Sequence, residues 1–165
     1  MTVYIGIDPG LSGAIARLDG VTSELRVEDV PTFELVRNGK KKREIDVHSL
    51  ARILDDMAKE PGTRIIIEGV GAMPGQGVSS VFAFGKAFGI LIGASASTFC
   101  PIDFVSPAKW KRDMGVTASK DGSRAKASSM FPQYCDLWRL AKNADRAEAV
   151  LMAHWAMRKE ADGIP

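Results

Sequence analysis

Residues 63–69, TRIIIEG, form a short and nearly continuous apolar run built on β-branched isoleucines. A strand wetted on one face alternates apolar with polar residues, and this one does not, so it reads as a strand covered on both faces. Helices must then lie above and below the sheet that holds it. The opening run TVYIGID is also mostly apolar, GAIARL and LRVEDV follow as short strands, and Asp19-Gly20 marks the turn between those two. The start is therefore an antiparallel meander. Asp46 caps a helix whose Val47, Leu50, Ile53, Leu54 and Met57 recur at helical spacing up to a stop at Pro61-Gly62. TFCPIDFV is the last strand candidate, with Pro101 favouring an edge or a bulge. Further helices are expected from about Ser79 to Ala94, from the Ser106-Pro107 cap onward, from Ser123 to Phe131 and from Asn143 to Glu160. The order of elements predicts an α/β fold: one mixed five-stranded sheet flanked by helices, in a single domain spanning residues 1–165.

The formal net charge of +2 hides an uneven distribution. Arg37 to Arg43, RNGKKKR, carries +5 and reads as a basic loop; Lys109 to Lys126 carries +4, which leaves −7 for the rest. Basic segments at two places suit a polyanionic partner, with acidic groups gathered elsewhere. No apolar run approaches the roughly 20 residues of a membrane span, and no signal-peptide pattern opens the chain, so the cytoplasm is the expected location. Cys100 and Cys135 lack zinc-type spacing and read as reduced, packed thiols.

Asp8 closes the first strand and Glu68 closes TRIIIEG, each followed closely by glycine. If the two strands are neighbours, both carboxylates emerge at one sheet edge. In NADRAEAV, Asp145 and Glu148 stand three apart on one helix face. Four grouped carboxylates repel unless a cation is present, and hard divalent ions such as magnesium take oxygen ligands. A pair of such ions about 4 Å apart supports in-line phosphodiester hydrolysis. The turn Pro9 to Gly13 would let a phosphate approach without side-chain collision.

IGIDPGLSGAIA, IIIEGV, SPAKWK and NADRAEAVLMA, taken in order, resemble the strand motifs, basic segment and acidic helix of the RuvC family of Holliday junction resolvases, within the RNase H-like superfamily. The match runs over nearly the whole chain, which resembles compact, phage-type members more than the commonest bacterial ones. The resemblance implies an RNase H-like fold, a homodimer, symmetric nicking of four-way or related branched DNA, and two Mg2+ ions per site, with Mn2+ able to substitute. It places Asp8, Glu68, Asp145 and Glu148 at the metal-ligand positions, with Glu148 where many members have aspartate. Lys111 or its rival Lys109 matches the first catalytic basic residue, and Lys120 or Arg124 the second. Met73, in GAMPGQG, sits where the family places a residue that wedges into the junction. Lys40, Lys41, Lys42 and Arg43 complete the expected DNA-binding set.

Two other classes compete. An actin-like or sugar-kinase-like ATPase also opens with a strand ending in Asp-x-Gly, but that fold needs two lobes around a cleft. A catalytically silent RNase H-like module would bind branched DNA better without four carboxylates facing phosphate. No nucleotide cofactor and no membrane partner are expected. His48 and His154 lack ligand spacing, and Trp110 and Trp138 read as core or cover, Trp110 with the option of stacking on a base.

Overall fold

Period-two alternation along two apolar strands sorts this molecule into two layers of helices around a sheet. The structure, a computed structural model, describes residues 2–37, 39–71, 75–117 and 119–163. Strands β1 (Val3–Asp8), β2 (Ala14–Asp19) and β3 (Leu25–Asp29) form the meander, followed by a hairpin of β4 (Thr32–Arg37) and β5 (Lys40–Ile45). Helix α1 (Val47–Met57), β6 (Arg64–Glu68), α2 (Val78–Ala96) and β7 (Ile102–Val105) come next. The chain ends with α3 (Pro107–Met114), α4 (Lys120–Met130), two short 3-10 turns and α5 (Ala144–Ala161). The main sheet has five strands in the order β3-β2-β1-β6-β7. β1 pairs antiparallel with β2 and parallel with β6, and β6 pairs parallel with β7. The expected mixed five-stranded α/β sheet flanked by helices is thus what the chain forms.

Val3, Ile5, Ile7, Ile65 and Ile67 point to one face, where they pack with Leu50, Leu54 and Met57 of α1 and Ala87 and Leu91 of α2. Tyr4 and Ile66 point to the other face, against Trp110, Ala127, Ala149, Val150 and Ala153 of α3, α4 and α5. Asp8 and Glu68 share the parity of Tyr4 and Ile66, so both carboxylates fall on the α5 face. Gly6 permits the closeness of that packing: a Cβ there would lie 2.1 Å from the Ala149 carbonyl oxygen and 2.7 Å from the Ala153 nitrogen. The caps follow the sequence. Asp46 accepts from the amides of His48 and Ser49, and Ser106 caps α3 with Pro107 in its first turn. Pro101 immediately precedes edge strand β7.

Four expectations need correction. Arg37 to Arg43 is not a loop: Lys40, Lys41, Lys42 and Arg43 lie on β5, opposite Arg37, Val36, Leu35 and Glu34. Strong exposure of both strands hides the apolar signal that would have revealed them. α4 starts at Lys120 rather than Ser123, because the Ser119 hydroxyl accepts from the Gly122 amide and caps it there. Third, α2 is long and apolar enough to cross a membrane by length and composition alone, with 19 residues at mean hydropathy 1.5. One of its faces docks on α1 and the sheet, while the other faces outward with Val78, Phe82 and glycines beside Ser79, Ser80 and Lys86. Finally, Cys135 is exposed rather than packed.

Candidate metal centre

Parallel register brings the two strand-end carboxylates level. Ile7 stands opposite Ile67, so the next residues, Asp8 and Glu68, reach the same edge of the sheet. α5 begins beside that edge, with Asp145 in its first turn and Glu148 one turn on. A carboxylate in the first turn also faces the positive end of the helix dipole. One carboxylate oxygen from each of Asp8, Asp145 and Glu148 lies within 4.8 Å of the others. Glu68 is not a member of this triad. Its Oε1 accepts instead from the indole Nε1–H of Trp110 at 2.8 Å.

Two ammonium groups reach the cluster. Lys120 Nζ donates to Asp145 Oδ1 and Glu148 Oε2, both at 2.6 Å, and lies 3.7 Å from Asp8 Oδ2, so one cation touches all three carboxylates. Lys111 Nζ donates to Glu148 Oε1 at 2.8 Å, and the Ser123 hydroxyl reaches the same oxygen at 2.8 Å. The rival basic residues turn elsewhere. Lys109 lies 3.8 Å from Asp113 and over the Trp155 ring, while Arg124 bonds Asp121 and the Arg139 carbonyl.

These surroundings split the carboxyls electrostatically. Burial lifts Asp8 to about 8, Lys120 opposes that, and Asp145, Glu68 and Glu148 add to it by repulsion. Burial also raises Glu68, against the Trp110 bond that favours its charged form. Glu148 is buried too, yet its hydrogen bonds from Lys111, Lys120 and Ser123 outweigh desolvation and hold it below the ordinary glutamate value. Lys120 is raised by its bonds to Asp145 and Glu148, which overcome burial. Asp8 Oδ2 is buried without a hydrogen-bond partner. A hard oxygen donor set with an orphaned, charge-averse carboxyl fits a divalent cation.

The turn after Asp8 is shaped for approach from outside. Gly10 has φ +133° with nothing near its missing side chain, whereas a Cβ on Gly13 would meet the Asp8 carbonyl at 2.0 Å. Arg43 fastens this turn to the hairpin, donating to the Leu11 carbonyl at 2.7 Å and to the Thr32 hydroxyl at 3.0 Å. A cavity of about 460 Å³ runs from Asp145 along Pro9 to Gly13 and α2. It shares Leu11, Ala83 and Ala87 with a second of about 440 Å³, rimmed by Arg37, Lys42, Arg43 and Lys86. Lys40 and Lys41 are exposed on the hairpin, and Met73 lies outside the described residues.

Sequence reasoning missed three parts of this site: the Trp110 bond, the Ser123 bond and the Arg43 tie. Only Trp110 carried a signal, by standing next to Lys111 in SPAKWK. His154 is half-buried with its ring edge-on to Phe131, in keeping with a packing role, and desolvation lowers its pKa.

Fold and site together define a mixed α/β sheet flanked by helices, with an acidic cluster at the carboxyl ends of its central strands, and solved structures share that fold. Thermus thermophilus RuvC, solved in complex with a Holliday junction substrate, has a similar fold, with TM-score 0.61 over 96% of each chain at 13% identity. The yeast mitochondrial Holliday junction resolvase Ydc2 is similar too, with TM-score 0.57 and 15% identity over 95% of this chain and 78% of that one. A curated relative, Holliday junction resolvase MOC1, chloroplastic, of Chlamydomonas reinhardtii, is 32% identical over 91 residues, or 52% of this chain. The chain spans about a tenth of the length of that relative. No family model matches the chain.

Proposed function

We propose that this chain is a magnesium-dependent endodeoxyribonuclease, a single domain working as a homodimer, that nicks four-way or related branched DNA symmetrically by phosphodiester hydrolysis. The convergence of Asp8, Asp145 and Glu148 with Lys111 and Lys120 at one sheet edge carries this reading. The names of the similar proteins support the choice of branched DNA. The expected place of work is the cytoplasm, or the host cytoplasm if a phage encodes the chain.

Asp8, Glu68, Asp145 and Glu148 would hold two Mg2+ ions, or Mn2+ in their place. When bound, such ions activate the water nucleophile and stabilise the leaving oxygen. The remaining steps belong to the chain. The open face of Gly10 admits the scissile phosphate, and Lys120 leaves the carboxylates as phosphate arrives, pairing with its oxygens instead. Lys111, held by Glu148, sits one residue from the Glu68 support and faces the same phosphate. Lys40, Lys41 and Lys42 bind backbone phosphates away from the cut, and the cleft along α2 leads towards them.

The test is incubation with labelled junction, fork, flap and linear duplex in Mg2+, followed by mapping of the nicks. Paired nicks at symmetric positions on the junction support the reading. Binding without nicking in Mg2+ or Mn2+ would instead identify a silent binding module, and stabilisation by ATP without nicking would identify a nucleotide-binding lobe.

A further inference from the structure

Trp110 is fully buried and belongs to the core on the α5 face, yet both chemically active aspects of its indole are turned to the carboxylate site. Its Nε1–H donates to Glu68 Oε1 at 2.8 Å, and the Nζ of Lys111 lies 5.2 Å from its ring centroid. Glu68 is itself buried, and a buried carboxylate needs a hydrogen-bond donor. The indole commits one carboxylate oxygen and leaves Oε2 as the oxygen available to an ion. The same ring offers its negative face to the ammonium that holds Glu148.

We propose that Trp110 is a positioning residue: it sets the carboxylate of Glu68 for ion binding and steadies Lys111, and so couples the strand-end ligand to the basic helix. This rests on the metal reading above. The indole supplies a donor and a large aromatic face from one side chain. Phenylalanine would fill much of the volume without an N–H, and glutamine would donate without a ring. The backbone that carries the indole is fixed from its start, because Ser106 caps α3 and Pro107 sets its first turn. Partners of ligands in this position characteristically matter by about 10–100-fold in metal affinity.

The experiment is calorimetric titration of the full chain with Mn2+ alone, without DNA. It compares the wild type with Trp110→Phe and with a chain carrying benzothienylalanine at position 110. The benzothienyl ring keeps the indole shape and lacks only the N–H, which guards against a folding defect in the phenylalanine variant. Both replacements should weaken Mn2+ binding by about 10–100-fold with a retained cooperative melt. In a Glu68→Gln background, where ions depend on Asp8, Asp145 and Glu148, the same replacement should change affinity less than about twofold, since coupled residues do not add. Wild-type affinity in the benzothienyl protein, or an equal loss in both backgrounds, overturns the proposal while leaving the metal reading intact. Absence of Mn2+ binding by the wild type overturns both.

Discussion

Asp8 is the residue on which the site's electrostatics turn. Its carboxyl is lifted from an ordinary 3.8 to about 8, chiefly by burial. Between those values the folded chain binds the proton that the unfolded chain has released, so this contribution to stability falls as pH rises from about 4 to about 8. In the metal-free protein Asp8→Asn removes that dependence. Its melting temperature should therefore exceed that of the wild type near the top of this window, by roughly 2–4 °C for each kcal/mol recovered. Mg2+ should close the gap by stabilising the wild type and not the variant; melts over a pH series with and without Mg2+ check both points. Asp8→Asn, Glu68→Gln and Asp145→Asn should each abolish nicking of a junction while binding it as well as or better than wild type, as gel-shift and cleavage assays would read. More than a small residual activity in any of them removes that residue from the site. The carboxylates were legible in the sequence because each closes an element or shares a helix face. Their partners were not, since a tryptophan's N–H or a serine's hydroxyl finds its acceptor only when α3 and α4 are docked.

Element placement fixes how the carboxylates meet, and the crossing of β1 and α5 at Gly6 is its tightest point. A methyl at Gly6 would strike the α5 backbone at Ala149 and Ala153, which cannot move aside as a side chain could. Gly6→Ala should thus push α5, with Asp145 and Glu148, away from Asp8. The expected cost is about 3 kcal/mol or more, with a corresponding fall in melting temperature and in Mn2+ affinity. A melt like the wild type's would mean that the crossing is looser than its geometry. The hairpin makes the second case at this scale. Triple replacement of Lys40, Lys41 and Lys42 by alanine should weaken binding to all DNA alike, with a salt slope lower by about one for each lost phosphate contact. An unchanged slope would leave these lysines solvated and idle. Arg43 belongs in a separate variant, because its bond to Leu11 ties the hairpin to the Asp8 turn. Strands buried on both faces and capped helices announced themselves in the sequence by apolar runs and by Asp46 and Ser106. The hairpin had only the Asn38-Gly39 pair between TFELVR and KKKREI, a two-residue hairpin signal outweighed by the lysines.

At the scale of the whole molecule, the outward face of α2 is an apolar feature that the carboxylate site does not explain. Val78 and Phe82 are 87% and 74% exposed, and Gly85, Gly89 and Gly93 have nothing within 4 Å of where a side chain would begin. An apolar helix face with a glycine stripe lets another backbone come close, and a four-way junction has near two-fold symmetry. A chain with one site makes paired nicks most simply as a two-fold dimer using the same face on both copies. Phe88 is a poor probe of that seam, because it packs on Phe84 and Phe104 and supports the core. Phe82→Asp combined with Gly89→Glu alters exposed positions alone. The wild type should scatter light as a dimer at micromolar concentration, and the variant as a folded monomer that binds junctions but leaves nicks unpaired. Unpairing is read by releasing nicked strands from a supercoiled cruciform plasmid, where coordinated cuts give linear product and independent cuts give relaxed circles. A wild-type monomer that stays monomeric on junction DNA would sink the seam, and so would a variant that remains dimeric and still linearises the plasmid.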